Sequence, residues 1–197
     1  MDSLTSPLLP TPATHDPDPM ATPAEIAAVI ALARARRART LVIGSGRTPH
    51  ALATARRIDS TWTRAGGITL ATITWPETAA SWLRQATRFV APAPDLWVMT
   101  GPATGWAQMT RRLLWSTPWP PTHTLATAAL AAPHTLTLVG LPHLNGLTGT
   151  TADGTTWQVK NDALMPSPPP NPSPDRLTER RIRSIRTGDG REERGPF

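Results

Sequence analysis

From Thr22 to Val159 the apolar residues change spacing several times, and each change marks an element. Thr22-Pro23-Ala24-Glu25 opens a helix: Thr22 caps it, Pro23 suits its first turn and Glu25 completes a capping box. Ile26, Val29, Ile30 and Ala33 follow at helical spacing as far as about Ala38. The run "TLVIG" from Thr40 has strand length. A second helix begins at Pro49, puts Leu52, Ala55, Ile58 and Trp62 on one face, and stops at Gly66-Gly67. "ITLATIT" (Ile68 to Thr74) is a second strand, rich in β-branched residues. A third helix is expected from Pro76, with Ala79, Trp82, Leu83, Ala86, Phe89 and Val90 as its buried stripe. "DLWVMTG" (Asp95 to Gly101) is a third strand and "TGWAQMTRRLLW" (Thr104 to Trp115) a fourth helix. Past the proline-rich turn "STPWPPTH" come two further apolar runs, "TLATAAL" and "TLTLVG". Asp153-Gly154 then sits between alternating runs, a hairpin signal.

Strands that alternate with helices imply a mostly parallel sheet covered on both faces, with right-handed crossovers. The expected fold is therefore a three-layer α/β/α sandwich, Rossmann-like, with a C-terminal β-hairpin. Residues 1–21 are polar, proline-rich and aperiodic, and read as a disordered tail. The lobe is expected over 22–164. From 165 to 197 the chain reads as a second disordered tail, opened by a proline tract that removes backbone donors.

Composition narrows the chemistry. The chain of 197 residues has no cysteine, so disulfides, thiolate metal sites and thiol nucleophiles are excluded. No apolar run approaches the roughly 20 residues a membrane helix needs. The N-terminus shows no secretory signal, so a cytoplasmic location is expected, with the cell envelope as the alternative for a piece of an exported protein. The isoelectric point near 11.4 suggests a nucleic-acid binder, yet the net charge is only +6. Lys160 is the one lysine, and tyrosine and cysteine are absent, so little loses a proton between histidine and arginine. Net charge governs attraction to a polyanion, and a nucleic-acid partner is not expected. "RRIRSIR" (Arg180 to Arg186) is diluted by Glu179, Glu192 and Glu193 and reads as part of a solvated tail.

In open α/β sheets ligands sit beyond the carboxyl ends of the strands. That rule selects three turns: Gly44–His50, Thr74–Glu77 and Thr100–Thr104. The first offers glycines for close backbone approach and a helix N-terminus, with Ser45, Thr48 and His50 as hydrogen-bonding groups and Arg47 as a charge. The dinucleotide pattern G-x-G-x-x-G fails at its third glycine, next to His50, and no Walker lysine follows. A tight turn capped by Thr48 is the plainer account. Glu77 suits a first helical turn on dipole grounds alone, and Trp75 reads either as core or as a stacking surface. Seven of the eight tryptophans lie between Trp62 and Trp119; Trp82 and Trp97 read as core, and Trp119 as the exposed one. His15, His50, His123, His134 and His143 show no metal-ligand spacing. No carboxylate pair or G-x-S-x-G elbow announces catalysis, and no cofactor is expected. Three functions stand side by side: a non-catalytic binding lobe; a Rossmann-like enzyme or regulator holding a nucleotide or phosphorylated metabolite at Gly44–His50; or a degenerate domain whose tails mediate contacts.

Taken in order, "RARTLVIGSG", a helix ending in "AGG", "ITLATITWPE" and "APDLWVMTGPATG" resemble one lobe of the type I periplasmic-binding-protein fold. That fold occurs in substrate-binding proteins of ABC transporters for branched-chain amino acids and similar solutes. Actinobacterial members carry segments similar to Trp75-Pro76-Glu77 and Pro94-Asp95-Leu96-Trp97-Val98. The resemblance covers about Thr22 to Val159 and implies recognition of a small solute without chemistry. It places ligand contacts at Ser45, Thr48, His50, Trp75, Glu77, Thr100 and Thr104. It also implies a second lobe, a homodimer partner or an ABC permease, because the family has two lobes and one is legible here.

Overall fold

The computed structural model of the protein describes residues 18–167. Helix α1 (Pro23–Ala35) starts with the expected reciprocal cap: the Thr22 hydroxyl accepts the Glu25 N–H at 3.1 Å and the Glu25 carboxylate accepts the Thr22 N–H at 3.3 Å. Strand β1 (Thr40–Gly46) is buried along almost its whole length, as a central parallel strand must be. Helix α2 (Pro49–Arg64) and strand β2 (Ile68–Trp75) follow, then α3 (Leu83–Val90), β3 (Leu96–Thr100) and α4 (Ala103–Ser116). Of the two later apolar runs, the first gives the short strand β4 (Thr124–Ala126). The second gives no strand; Pro133 opens the one-turn helix α5 (Pro133–Thr137) there. Strands β5 (Thr148–Thr150) and β6 (Thr156–Lys160) form the Asp153-Gly154 hairpin, and Gly154 takes the positive φ of +86° that the turn requires. A second tight turn, Asn161-Asp162 with φ of +51° and +60°, leads into the edge strand β7 (Ala163–Ser167). Its Pro166 is tolerated because an edge strand can spare a donor.

The seven strands lie in the order β2-β1-β3-β4-β5-β6-β7. Four of the six pairings, those joining β2, β1, β3, β4 and β5, are parallel and only β6 runs against the rest, so the expected mostly parallel sandwich is what forms. Alternation along β1 divides the core. Leu41 and Ile43 pack with Ile26, Val29, Ile58 and Trp62 under α1 and α2. Val42 faces the other way and packs with Trp75, Phe89, Met99, Trp106 and Leu113 under α3 and α4.

Two expectations need correction. The third helix begins at Leu83, seven residues after Pro76, because residues 76–82 form a loop closed by the Trp82 indole N–H on the Pro76 carbonyl at 2.9 Å. Trp82, Ala86 and Phe89 are buried as expected, whereas Leu83 is exposed. Trp119 is buried in the α3–α5 core, since the proline-rich turn folds back on α4 through the Thr117 hydroxyl and the Leu113 carbonyl (2.8 Å). Trp115 takes the exposed position instead. Arg180 to Arg186 lie outside the described residues.

The amino ends of β1 and β3 are clamped by Asp95. Its Oδ2 accepts the N–H groups of Arg39 (2.8 Å) and Thr40 (2.9 Å) and the Thr40 hydroxyl (2.9 Å), and its own N–H donates to Thr40 Oγ1 (2.9 Å). The Arg39 and Thr40 N–H groups hold its carboxyl below the usual aspartate range. A lowered folded-state pKa adds stability above the unfolded value near 4 that disappears as the pH falls. Asp95→Asn is therefore expected to be less stable than the parent at pH 7, with the gap closing toward pH 3. Urea midpoints at both values check this; an equal gap at both would contradict the clamp.

Candidate functional site

Parallel register brings the strand ends to one rim. Gly46 is level with Trp75, Ser45 with Thr74 on one side and Thr100 on the other, and Met99 with Ala126. The chain moves from β1 to β2 on one side and onward to β3 on the other, so the switch point lies between the β1 and β3 ends. The turns meet there at backbone contact. Gly101 has φ of +132°, and a Cβ on it would lie 2.8 Å from the Gly46 nitrogen, so only glycine fits.

A carboxylate fills this crevice. Glu77 leaves its own loop and accepts the Gly105 N–H at 3.0 Å, at the start of α4. Helix α4 begins after Pro102, which has no capping side chain, so Glu77 supplies the cap from another element. The fit is close: a Cβ on Gly105 would come 2.0 Å from Glu77 Oε2, and one on Gly46 2.6 Å from Oε1. A second carboxylate acts alike at the next turn. Glu25, buried at 3% exposure, accepts the Ala128 N–H at 2.7 Å beyond β4. Burial pushes its pKa up, and the N–H groups of Ala128 and Thr22 pull it partly back.

The residues singled out from sequence divide into two groups. Thr48 and His50 reach the rim surface, and Glu77 is half-buried with its Oε1 closed off from solvent. Thr48 caps α2 through the Ala51 N–H (3.3 Å), and exposed His50 places Nδ1 2.7 Å from the Asp18 carbonyl oxygen and 3.8 Å from its carboxylate. Ser45, Trp75, Thr100 and Thr104 are buried beneath them. The Ser45 hydroxyl donates to the Gly46 carbonyl at 2.7 Å, and Thr100 Oγ1 accepts from the Thr127 hydroxyl at 2.9 Å. Trp75 stands edge-on to Phe89, ring centres 6.4 Å apart at 88°. Thr127, Gly105 and the second bond of Glu25 were not legible in the sequence. Each depends on a contact across the fold, the Glu25 bond spanning 103 positions.

Three of the rim's donors are taken by the chain itself. Ala51 N–H serves Thr48, Gly105 N–H serves Glu77 and Ala128 N–H serves Glu25. Two of the three acceptors are carboxylates. A phosphate at this rim would meet negative charge where the nucleotide reading needs free N–H groups. Among the described residues no group of histidine and carboxylate side chains is placed to hold a metal ion.

No protein-family model matches the chain, and no curated protein matches it. Solved structures do. A putative branched-chain amino acid ABC transporter protein from Rhodospirillum rubrum superposes with a TM-score of 0.54 at 17% identity, over 66% of this chain and 37% of that one. A branched-chain amino acid ABC transporter periplasmic ligand-binding protein from Burkholderia xenovorans gives 0.54 at 15%, over 65% and 34%. The leucine-binding protein LivK of Thermotoga maritima gives 0.54 at 18%, over 84% and 43%. The chain spans less than half the length of these structures. At such identities the likeness shows the fold: this chain has the architecture of one lobe of such binding proteins.

Proposed function

We propose that the protein is a non-catalytic solute-binding lobe, with the strand-end rim as one wall of a ligand cleft and a second lobe or second copy as the other. The observation that carries this reading is the rim itself: four parallel strands end level, with Glu77 held at the switch point by Gly105. The fold likeness to ligand-binding proteins of about twice its length supports it. Thr48, His50 and Glu77 are the proposed contacts, and Ser45, Trp75, Thr100 and Thr104 the floor that sets their positions. A negative charge on half-buried Glu77, beside hydroxyls, suits a solute with an ammonium group, such as an amino acid, better than a phosphate. The lobe, expected over 22–164, is taken to include the rest of β7 as far as Ser167. A role of this kind pairs the protein with an ABC permease at the cell envelope, in place of the cytoplasmic location expected from its N-terminus. Among the described residues no helix is long and apolar enough to cross a membrane.

Thermal melts against leucine, isoleucine and valine, with nucleotides as a second panel, test the reading. A ligand at ten times its Kd stabilises by about 1.4 kcal/mol, roughly 3–6 °C for a domain of this size. Stabilisation by an amino acid that is lost in Glu77→Gln is the expected result. A shift with nucleotides alone, or with neither panel, would contradict it.

A further inference from the structure

Strand β2 is the outer edge of the sheet and pairs only with β1, which leaves its other side without a strand partner. Over its second half the edge is not bare. A recess of about 220 Å³ opens there, lined by Thr72, Ile73 and Thr74 of β2, Arg84, Gln85 and Arg88 of α3, and Arg47 from the turn after β1. Arg84 and Arg88 are one helical turn apart and so share a face. Arg47 arrives from a separate segment. No carboxylate lines the recess, and among the described residues none of the three guanidinium groups has a hydrogen bond or ion pair. The carboxylates of Glu25, Glu77, Asp95 and Asp153 are committed elsewhere. A single exposed arginine needs no partner. Three converging on one concavity repel each other, and an anion between them relieves that repulsion. Guanidinium forks bind carboxylate and phosphate oxygens in pairs, and Thr72, Thr74 and Gln85 add neutral donors around them.

We propose that this recess on the β2 edge binds a small oxyanion carrying two or more negative charges. The recess shares Arg47 and Thr74 with the strand-end turns but opens on the β2 side, away from the β1–β3 switch point, and does not depend on the solute-binding reading. Phosphoryl compounds and polycarboxylates share the required chemistry, so inorganic phosphate and citrate serve as the two probes. Each is titrated into the isotope-labelled full chain, with sodium chloride holding the ionic strength constant, and amide shifts are followed. The expected result is saturable movement at Thr72, Thr74 and Gln85. Affinity should weaken roughly tenfold or more in Arg84→Gln/Arg88→Gln. It should hold within about twofold in Arg56→Gln/Arg64→Gln, which removes the same charge from the exposed face of α2. Tighter phosphate would assign a phosphoryl ligand and tighter citrate a polycarboxylate. Movement no greater than with chloride, or equal weakening in both double variants, would overturn the proposal. So would self-association of Arg84→Gln/Arg88→Gln without saturable binding by the parent, which would make the arginines guards of an open edge.

Discussion

Trp75→Ala is expected to destabilise the protein by about 3–5 kcal/mol, the usual cost of emptying a buried aromatic site. The indole is fully buried, rests edge-on against Phe89, and occupies the space left by Gly44, where a Cβ would come within 2.6 Å of the ring. Gly44 of β1 and Phe89 of α3, which wall the ring, are themselves fixed in the core, so the gap closes only in part. The loss is a large share of the roughly 5–15 kcal/mol that holds a domain together, and melting should fall by roughly 6–20 °C. Denaturant unfolding of the variant beside Trp75→Phe measures it. A cost below about 1 kcal/mol would mean that the ring is not core. The consequence for function is direct: weaker solute binding by Trp75→Ala would report a damaged lobe rather than a lost contact.

The second large effect is a reversal of sign. In the parent, Gly105→Ala puts a methyl group 2.0 Å from Glu77 Oε2 and forces the carboxylate off the α4 N-terminus. The displaced side chain can swing away, so the cost is the cap itself, about 1–3 kcal/mol for a hydrogen bond to a charged group. In Glu77→Ala the obstacle is gone, and the same substitution gains the helix propensity of alanine over glycine, about 0.5–1 kcal/mol. Gly105→Ala should thus destabilise the parent and stabilise Glu77→Ala. A double-mutant cycle by urea unfolding reads the coupling; additive effects would show that Glu77 does not occupy the cradle.

These two results also mark what could be read from the residues alone. Local patterns carried the architecture: the Thr22–Glu25 capping box, the buried run of β1 and the Asp153-Gly154 turn are short-range devices, and each forms where expected. The parallel rim followed from the alternation of strands and helices. The contents of the rim did not. Gly44 and Gly46 look like phosphate-loop glycines in the sequence, yet their lack of a Cβ makes room for Trp75 and for Glu77. Glu77 next to Pro76 reads as the first turn of its own helix, but it caps a helix 28 positions away. No local spacing encodes a cap in trans. Trp119 misled for a related reason, since prolines signal a turn without saying that the turn folds back onto the core. Arg47, Arg84 and Arg88 meet only because β2 is an edge strand, which the order of elements along the chain does not reveal.

Amide shift mapping with leucine tests the central claim, that the strand-end rim is a solute-binding wall. The labelled full chain is titrated at constant pH and ionic strength. Saturable shifts gathered at Thr48–Ala51, Glu77, Gly101–Gly105 and Thr127–Ala128 are the predicted outcome, with the β2 edge at Thr72 and Gln85 unmoved. Shifts confined to that edge, or none at saturating concentrations of all three branched-chain amino acids, would contradict it.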